Sequence, residues 1–238
     1  MHSNSLLMLK RSSRYFPQVE PILEKYGIPD DFKYLMAIES NLEPKSVSGA
    51  GAAGLWQFTK GTGRDYGLEV ASDIDERYNT VKATEAACRY LKDGYERYGD
   101  WMTVAASYNA GFKNITTRLD DQRQSSALNI WVFEETSRYM YRLMAAKMMF
   151  TDPSLFGFNV KAEDCYPYFP PRQIVTTPGN IGSLVDFAEK YGITYSQLKN
   201  ANLWLRDSKL VNRSQNSYRI AIPDIEAENG YYSRLTGK

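Results

Sequence analysis

A mainly α-helical protein, closed by a small strand–helix–helix–strand module, is what this sequence predicts, and three observations carry the prediction. Between residues 15 and 150 apolar side chains recur at helical spacing, in segments joined by Gly-rich or Pro-marked loops. Residues 156–171, FGFNVKAEDCYPYFPP, then hold three prolines and no helical period. Beyond them Tyr218, Ile220 and Ile222 alternate in SYRIAIP and end at a proline, which is a strand signal.

The elements follow in order. Pro29-Asp30-Asp31 opens a helix, acidic residues being favoured in a first turn. Phe32, Leu35, Met36 and Glu39 continue it at helical spacing, and Pro44 is expected to stop it. From 77 to 98 a seam of Val81, Thr84, Cys88, Leu91, Tyr95 and Tyr98 predicts a long packed helix, with Cys88 a buried structural thiol. Residues 101–109 and 135–150 are further helices. Residues 173–176 form a strand, 181–191 a helix with Leu184, Phe187, Ala188 and Tyr191 inward, and 194–201 a second helix. The expected partition is 1–155 for the helical domain, 156–171 for a linker, 172–223 for the module, and 224–238 for a frayed polar tail.

Composition excludes several chemistries. Lys and Arg number 29 against 28 Asp and Glu, so no basic excess points to nucleic acid, and no nucleic-acid partner is expected. One histidine, His2 in a terminus expected to be loose, and two cysteines leave almost no ligands for zinc and no imidazole for a Ser-His-Asp triad. No metal and no cofactor is expected, and the chemistry must rest on carboxylates, hydroxyls and amides. No apolar run is long enough to span a bilayer. The opening MHSNSLLMLKRSS is too short for a complete signal peptide, so either the chain is cytoplasmic or a targeting segment has been removed. The 18 Tyr, 10 Phe and 4 Trp suit either a core or a groove for an amphipathic polymer.

Glu39 is the anomaly, lying three and four residues after Met36 and Leu35 on the apolar stripe of its own helix. A carboxyl there loses hydration and its pKa rises, as cleavage of a glycosidic bond requires of its acid. The alternative is a glutamate at the stripe's edge whose carboxylate reaches water. Downstream, SVSGAGAAGLWQF at 46–58 offers a small-residue loop with Ser46, Ser48 and Gln57 as hydrogen-bonding groups. Trp56 and Phe58 there could present ring faces to a sugar or dock on the core. At 105–111, AASYNAG ends a helix with Tyr108 and Asn109 before a capping glycine.

Glu39-Ser40, Gly54-Leu55-Trp56-Gln57, Ser107-Tyr108-Asn109-Ala110-Gly111, and Glu135-Thr136 with Tyr139 resemble, in order and spacing, the motifs of family 23 lytic transglycosylases. These are relatives of the soluble lytic transglycosylases and goose-type lysozymes; GLWQF with GRDYGL at 63–68 is most like their membrane-bound branch. The resemblance spans roughly residues 16–150 and implies a lysozyme-like helical catalytic domain. It also implies cleavage between N-acetylmuramic acid and N-acetylglucosamine, with Glu39 as acid and then base, no required second carboxylate, and a 1,6-anhydromuramoyl product. It places Ser48, Gln57, Tyr108, Asn109 and Tyr139 around the substrate. Trp56 stands where methionine is frequent, and Ser107 where alanine is usual. Asp73, Asp75 and Asp100 stay open as groups that could position a water and make the protein a muramidase; a non-catalytic glycan-binding protein is the third reading.

The C-terminal module resembles a LysM domain, mostly through YGITYSQLKNAN at 191–202 and Ile220-Ala221-Ile222-Pro223. Pro178-Gly179-Asn180-Ile181-Gly182-Ser183-Leu184 replaces the usual opening, so glycan binding and a purely structural role both stay open. Together the resemblances imply peptidoglycan glycan strands as partner and a periplasmic, outer-membrane-associated location, with anchoring through a preceding segment. The oligomeric state and any Cys88–Cys165 pairing are left open.

Overall fold

A computed structural model describes residues 2–236, and within them the chain forms ten α-helices and one two-stranded sheet. Helix α1 (His2–Tyr26) is longer than the sequence predicts. Its start is not a loose terminus: His2 is the first helical residue, and Met8 and Leu9 are buried against Met149. The helix runs through Pro17 and Pro21 because Val19 and Leu23, fully buried, anchor that face in the core.

Helix α2 (Phe32–Ser40) carries Glu39 and ends before Pro44, where Asn41 and Leu42 turn left-handed with φ of 52° and 53°. Leu42 is fully buried, and that burial offsets its cost of roughly 1–2 kcal/mol in this conformation. The short α3 (Lys60–Asp65) follows, capped by the Thr59 hydroxyl. Helix α4 (Thr80–Tyr98) buries Thr84, Cys88 and Leu91 as the seam requires. The seam's ends differ: Val81 and Tyr95 are exposed, and Tyr95 lies stacked on Trp101 at 4.2 Å between ring centres.

Asp100 caps α5 (Trp101–Ala110) by accepting from the amides of Met102 and Thr103. Gly94 lets α4 and α5 close together, since a Cβ there would lie 3.0 Å from Val104. Helix α6 (Phe112–Asp121) was not anticipated; it buries only Ile115 and Leu119. Helix α7 (Glu134–Thr151) packs against α2 and α5.

The segment after α7 lies along α1 instead of crossing open solvent. The Tyr166 amide donates to the Lys10 carbonyl at 3.0 Å, and Phe158 and Val160 pack on the Met8–Leu9–Met149 cluster. Cys88 and Cys165 are both free thiols, and burial pushes the Cys88 thiol up to about 12.

The module has the order read from sequence: β1 (Gln173–Thr177), α8 (Leu184–Lys190), α9 (Tyr195–Ala201) and β2 (Tyr218–Ile222). The strands pair antiparallel, with Val175 opposite Ile220. Leu184 and Ala188 are buried under them, with Phe187 and Tyr191 at the margin. The opening loop is closed against the one before β2, where the Asn212 side chain donates to the Pro178 carbonyl at 2.7 Å. Residues past 224 are no frayed tail: α10 (Ile225–Thr236) forms, and Phe169 meets the rings of Tyr231 and Tyr232. Residues 237 and 238 lie outside the described residues.

The helical domain and the module share a core. Ile74, from the loop between α3 and α4, is fully buried among Trp204, Leu205 and their neighbours in the module. No helix among the described residues is long and apolar enough to cross a membrane.

Candidate active site

The site is built where α2, α5 and α7 converge with the loop at 46–58. Seven of the nine residues of α2 are buried, and Glu39 keeps partial exposure at its last turn. From α7, the buried Tyr139 hydroxyl donates to Glu39 Oε1 at 2.5 Å. One helical turn later Arg142 donates to the Ile38 carbonyl at 3.2 Å, which sets a guanidinium beside Glu39.

Burial raises the pKa of Glu39 above the ordinary carboxylate range. The Tyr139 hydrogen bond and the Arg142 charge both favour the ionised form, and neither outweighs the lost hydration. Tyr139 and Tyr108 are themselves pushed well above the usual phenol range by burial, with the Glu39 charge acting in the same direction. Both therefore stay neutral and can donate.

Tyr108 sits in the last turn of α5, where its hydroxyl donates to the Trp56 carbonyl at 2.7 Å. Its ring packs on Tyr90, Trp56 and Phe58. Asn109 follows it, partly buried, just before Gly111, whose amide returns to the Ser107 carbonyl. The Ser107 hydroxyl bonds back to the Val104 carbonyl at 2.7 Å, so this hydroxyl in place of alanine is spent inside its own helix.

Loop 46–58 is held by its own polar groups. The exposed Ser48 hydroxyl accepts from the Ala52 amide at 3.1 Å. Gln57 adopts a left-handed backbone (φ 49°), and its side-chain nitrogen donates to the carbonyls of Gly54 and Ser46 at 2.7 and 3.2 Å. Strain of this kind at a non-glycine residue persists only where the surroundings enforce it. Gly54 (φ 78°) is required: a Cβ there would sit 2.0 Å from the Arg77 carbonyl oxygen.

The rings of Trp56 and Phe58 are not free for a sugar. Trp56 is fully buried with its indole N–H on the Thr84 hydroxyl at 2.9 Å, and Phe58 is buried beside Tyr108. Both serve as the floor under Tyr108.

The other carboxylates singled out by sequence are engaged elsewhere. Asp73 accepts both its contacts from Arg213, Asp75 pairs with Arg77 at 2.7 Å, and Asp100 caps α5. Glu76 also has a raised pKa through burial, but it accepts from the Glu69 amide in the 69–78 loop. Among the described residues no group of acids, histidines or cysteines could hold a metal ion. Two residues with a place here were missed in the sequence. Arg142 carried one signal, its position one turn after Tyr139; Arg77, whose guanidinium reaches the carbonyls of Gly51 and Phe58, carried none.

Residues 20–131 match the model of the transglycosylase SLT domain, and residues 173–226 match that of the soluble lytic transglycosylase C-terminal LysM-like domain. The chain is 27% identical over 205 residues to membrane-bound lytic murein transglycosylase D of Escherichia coli, covering 84% of this chain and 44% of that one. It is 27% identical over 135 residues to membrane-bound lytic murein transglycosylase F of Klebsiella pneumoniae, covering 52% and 25%. The solved structure of an inactive mutant of lytic transglycosylase Slt from Pseudomonas aeruginosa matches 64% of this chain and 26% of its own at 21% identity and a TM-score of 0.48. The chain thus spans less than half the length of these relatives. The chain carries a transglycosylase SLT domain followed by a LysM-like domain of the kind that closes soluble lytic transglycosylases.

Proposed function

We propose that this chain is an enzyme that cleaves the β-1,4 bond between N-acetylmuramic acid and N-acetylglucosamine in peptidoglycan, with Glu39 as general acid and then general base. The carrying observation is one partly buried carboxyl with a raised pKa, oriented by a neutral tyrosine at 2.5 Å, while Asp73, Asp75 and Asp100 are engaged elsewhere. The protonated Glu39 donates to the glycosidic oxygen, and the bond from that oxygen to C1 of the muramoyl residue breaks. The muramoyl O6 hydroxyl then attacks C1 and gives its proton to the Glu39 carboxylate. Glu39 ends protonated, no water is consumed, and the product end is a 1,6-anhydro ring.

Tyr139 orients the carboxyl, and Arg142 stabilises the carboxylate after proton donation. Ser48, Gln57, Tyr108 and Asn109 border the sugar, with Tyr108 and Gln57 fixing the loop shape that receives it. Peptidoglycan as substrate favours the periplasm as the place of action, and the relatives' membrane-bound names favour association with a membrane.

The masses of fragments released from purified peptidoglycan test the reaction. Ends one water lighter than a reducing sugar are predicted. Hydrated ends would make the protein a muramidase, and no release would leave a glycan-binding protein.

The pH profile tests Tyr139. The acid must be protonated, so the rate falls as pH rises through the raised Glu39 pKa. Because the Tyr139 hydrogen bond lowers that pKa, Tyr139→Phe is expected to move the falling limb to higher pH while reducing the maximal rate roughly tenfold through lost orientation. A limb that stays put or moves down in pH would contradict the assignment.

A further inference from the structure

We infer that Arg77 is a positioning residue, the link through which the C-terminal module holds loop 46–58 in shape beside Glu39. This rests on the reading of that loop as substrate-binding.

The argument begins at the junction of the two domains. Asp73, almost wholly buried, accepts twice from Arg213 of the module at 2.7 and 2.8 Å. Glu69 accepts from the module's Ser214, Asn216 and Tyr218 at 2.9, 3.2 and 2.8 Å. Between them the backbones are joined: the Asp75 amide donates to the Trp204 carbonyl at 2.9 Å and the Arg206 amide to the Asp73 carbonyl at 2.8 Å. Ile74 completes the module's core, so undocking would expose an isoleucine and leave Asp73 and Glu69 without their partners.

The same short loop continues directly into the site. Asp75, whose amide is tied to the module, holds the Arg77 guanidinium through two hydrogen bonds of 2.9 and 2.7 Å. Arg77 is buried, and its remaining nitrogen donates to the carbonyls of Gly51 at 2.8 Å and Phe58 at 3.0 Å. Those carbonyls bracket the segment bearing Gly54, Trp56 and Gln57, and the Arg77 carbonyl itself fills the space left by the missing Cβ of Gly54. A planar fork with its donors committed on both sides transmits a shift of Asp75 to loop 46–58 instead of absorbing it. The module thus acts on the site by bracing it, whether or not it binds glycan.

Hydrogen exchange and steady-state kinetics on the full chain test this with Arg213→Glu, which sets a carboxylate against Asp73, and Ile74→Asp, which expels the loop from the module. Arg213 is 61% exposed, so its replacement leaves the module's own core intact. Faster exchange at the amides of Asp75 and Arg206 reports undocking. The expected result is that undocking also speeds exchange at Ala53 and Gly54 and raises KM on peptidoglycan roughly tenfold. The limb set by Glu39 should stay in place, and Arg213→Lys should behave as wild type. Undocking that leaves exchange at Ala53 and Gly54 unchanged would overturn the inference. If the wild-type chain releases no fragments the catalytic reading fails instead, and the exchange data alone still decide the bracing.

Discussion

Glu39→Gln is expected to lower fragment release from peptidoglycan by about a hundredfold to ten-thousandfold, the span that a positioned acid–base group contributes. The exchange keeps the shape of the side chain and an oxygen that can still accept from Tyr139, but removes the proton that the leaving oxygen needs. Asp73, Asp75 and Asp100 cannot take over, because each is bound elsewhere. Affinity for glycan, measured by co-sedimentation with insoluble peptidoglycan, is expected to stay within about twofold, since binding uses other groups. Activity near wild type in this variant would remove Glu39 from the mechanism.

The largest stability effect is expected from Trp56→Ala. The indole is fully buried beneath Tyr108 and bonded to Thr84, so its removal opens a cavity in the centre of the helical domain. A loss of about 3–5 kcal/mol follows, a large share of the roughly 5–15 kcal/mol that stabilises a typical domain. For a chain of this size that corresponds to a fall in Tm of about 6–20 °C. Trp56→Phe should cost clearly less, because a phenyl ring leaves a much smaller cavity; in both variants Thr84 keeps its bond to the Thr80 carbonyl at 2.7 Å and is not orphaned. Thermal unfolding of the two variants checks both the size and the order; equal, small shifts would mean that Trp56 does not anchor the core.

The parts legible in the sequence were those that local periodicity encodes. The faces of α2 and α4, the capped end of α5 and the order β1-α8-α9-β2 follow from side-chain spacing and punctuation within a few residues. What stayed hidden depended on partners far along the chain. The end of α2 was expected at Pro44, yet burial of Leu42 sets it earlier. The start of α1 reads as a loose terminus and α10 as a polar tail, because their stabilising contacts, Met149 and Phe169, lie more than fifty residues away. Trp56 and Phe58 are indistinguishable from sugar-stacking rings until Tyr108 and Thr84 are seen against them. Of the site itself, the geometry puts Tyr139 on Glu39 across 100 residues and Tyr108 on the Trp56 carbonyl. It sets Ser48 at the exposed rim and turns the Gln57 nitrogen into its own loop. The Asp73–Arg213 pair spans 140 residues, and no local pattern could have announced it.

The central claim is that Glu39 directs an internal hydroxyl, and not water, onto the anomeric carbon. Digestion of peptidoglycan in water enriched in heavy oxygen, with Glu39→Gln alongside, tests it most directly. Fragments from the wild-type protein whose new ends carry no label, with none released by the variant, are the predicted result. Uptake of one labelled oxygen per cleaved bond, or unlabelled fragments released equally by the variant, would contradict it.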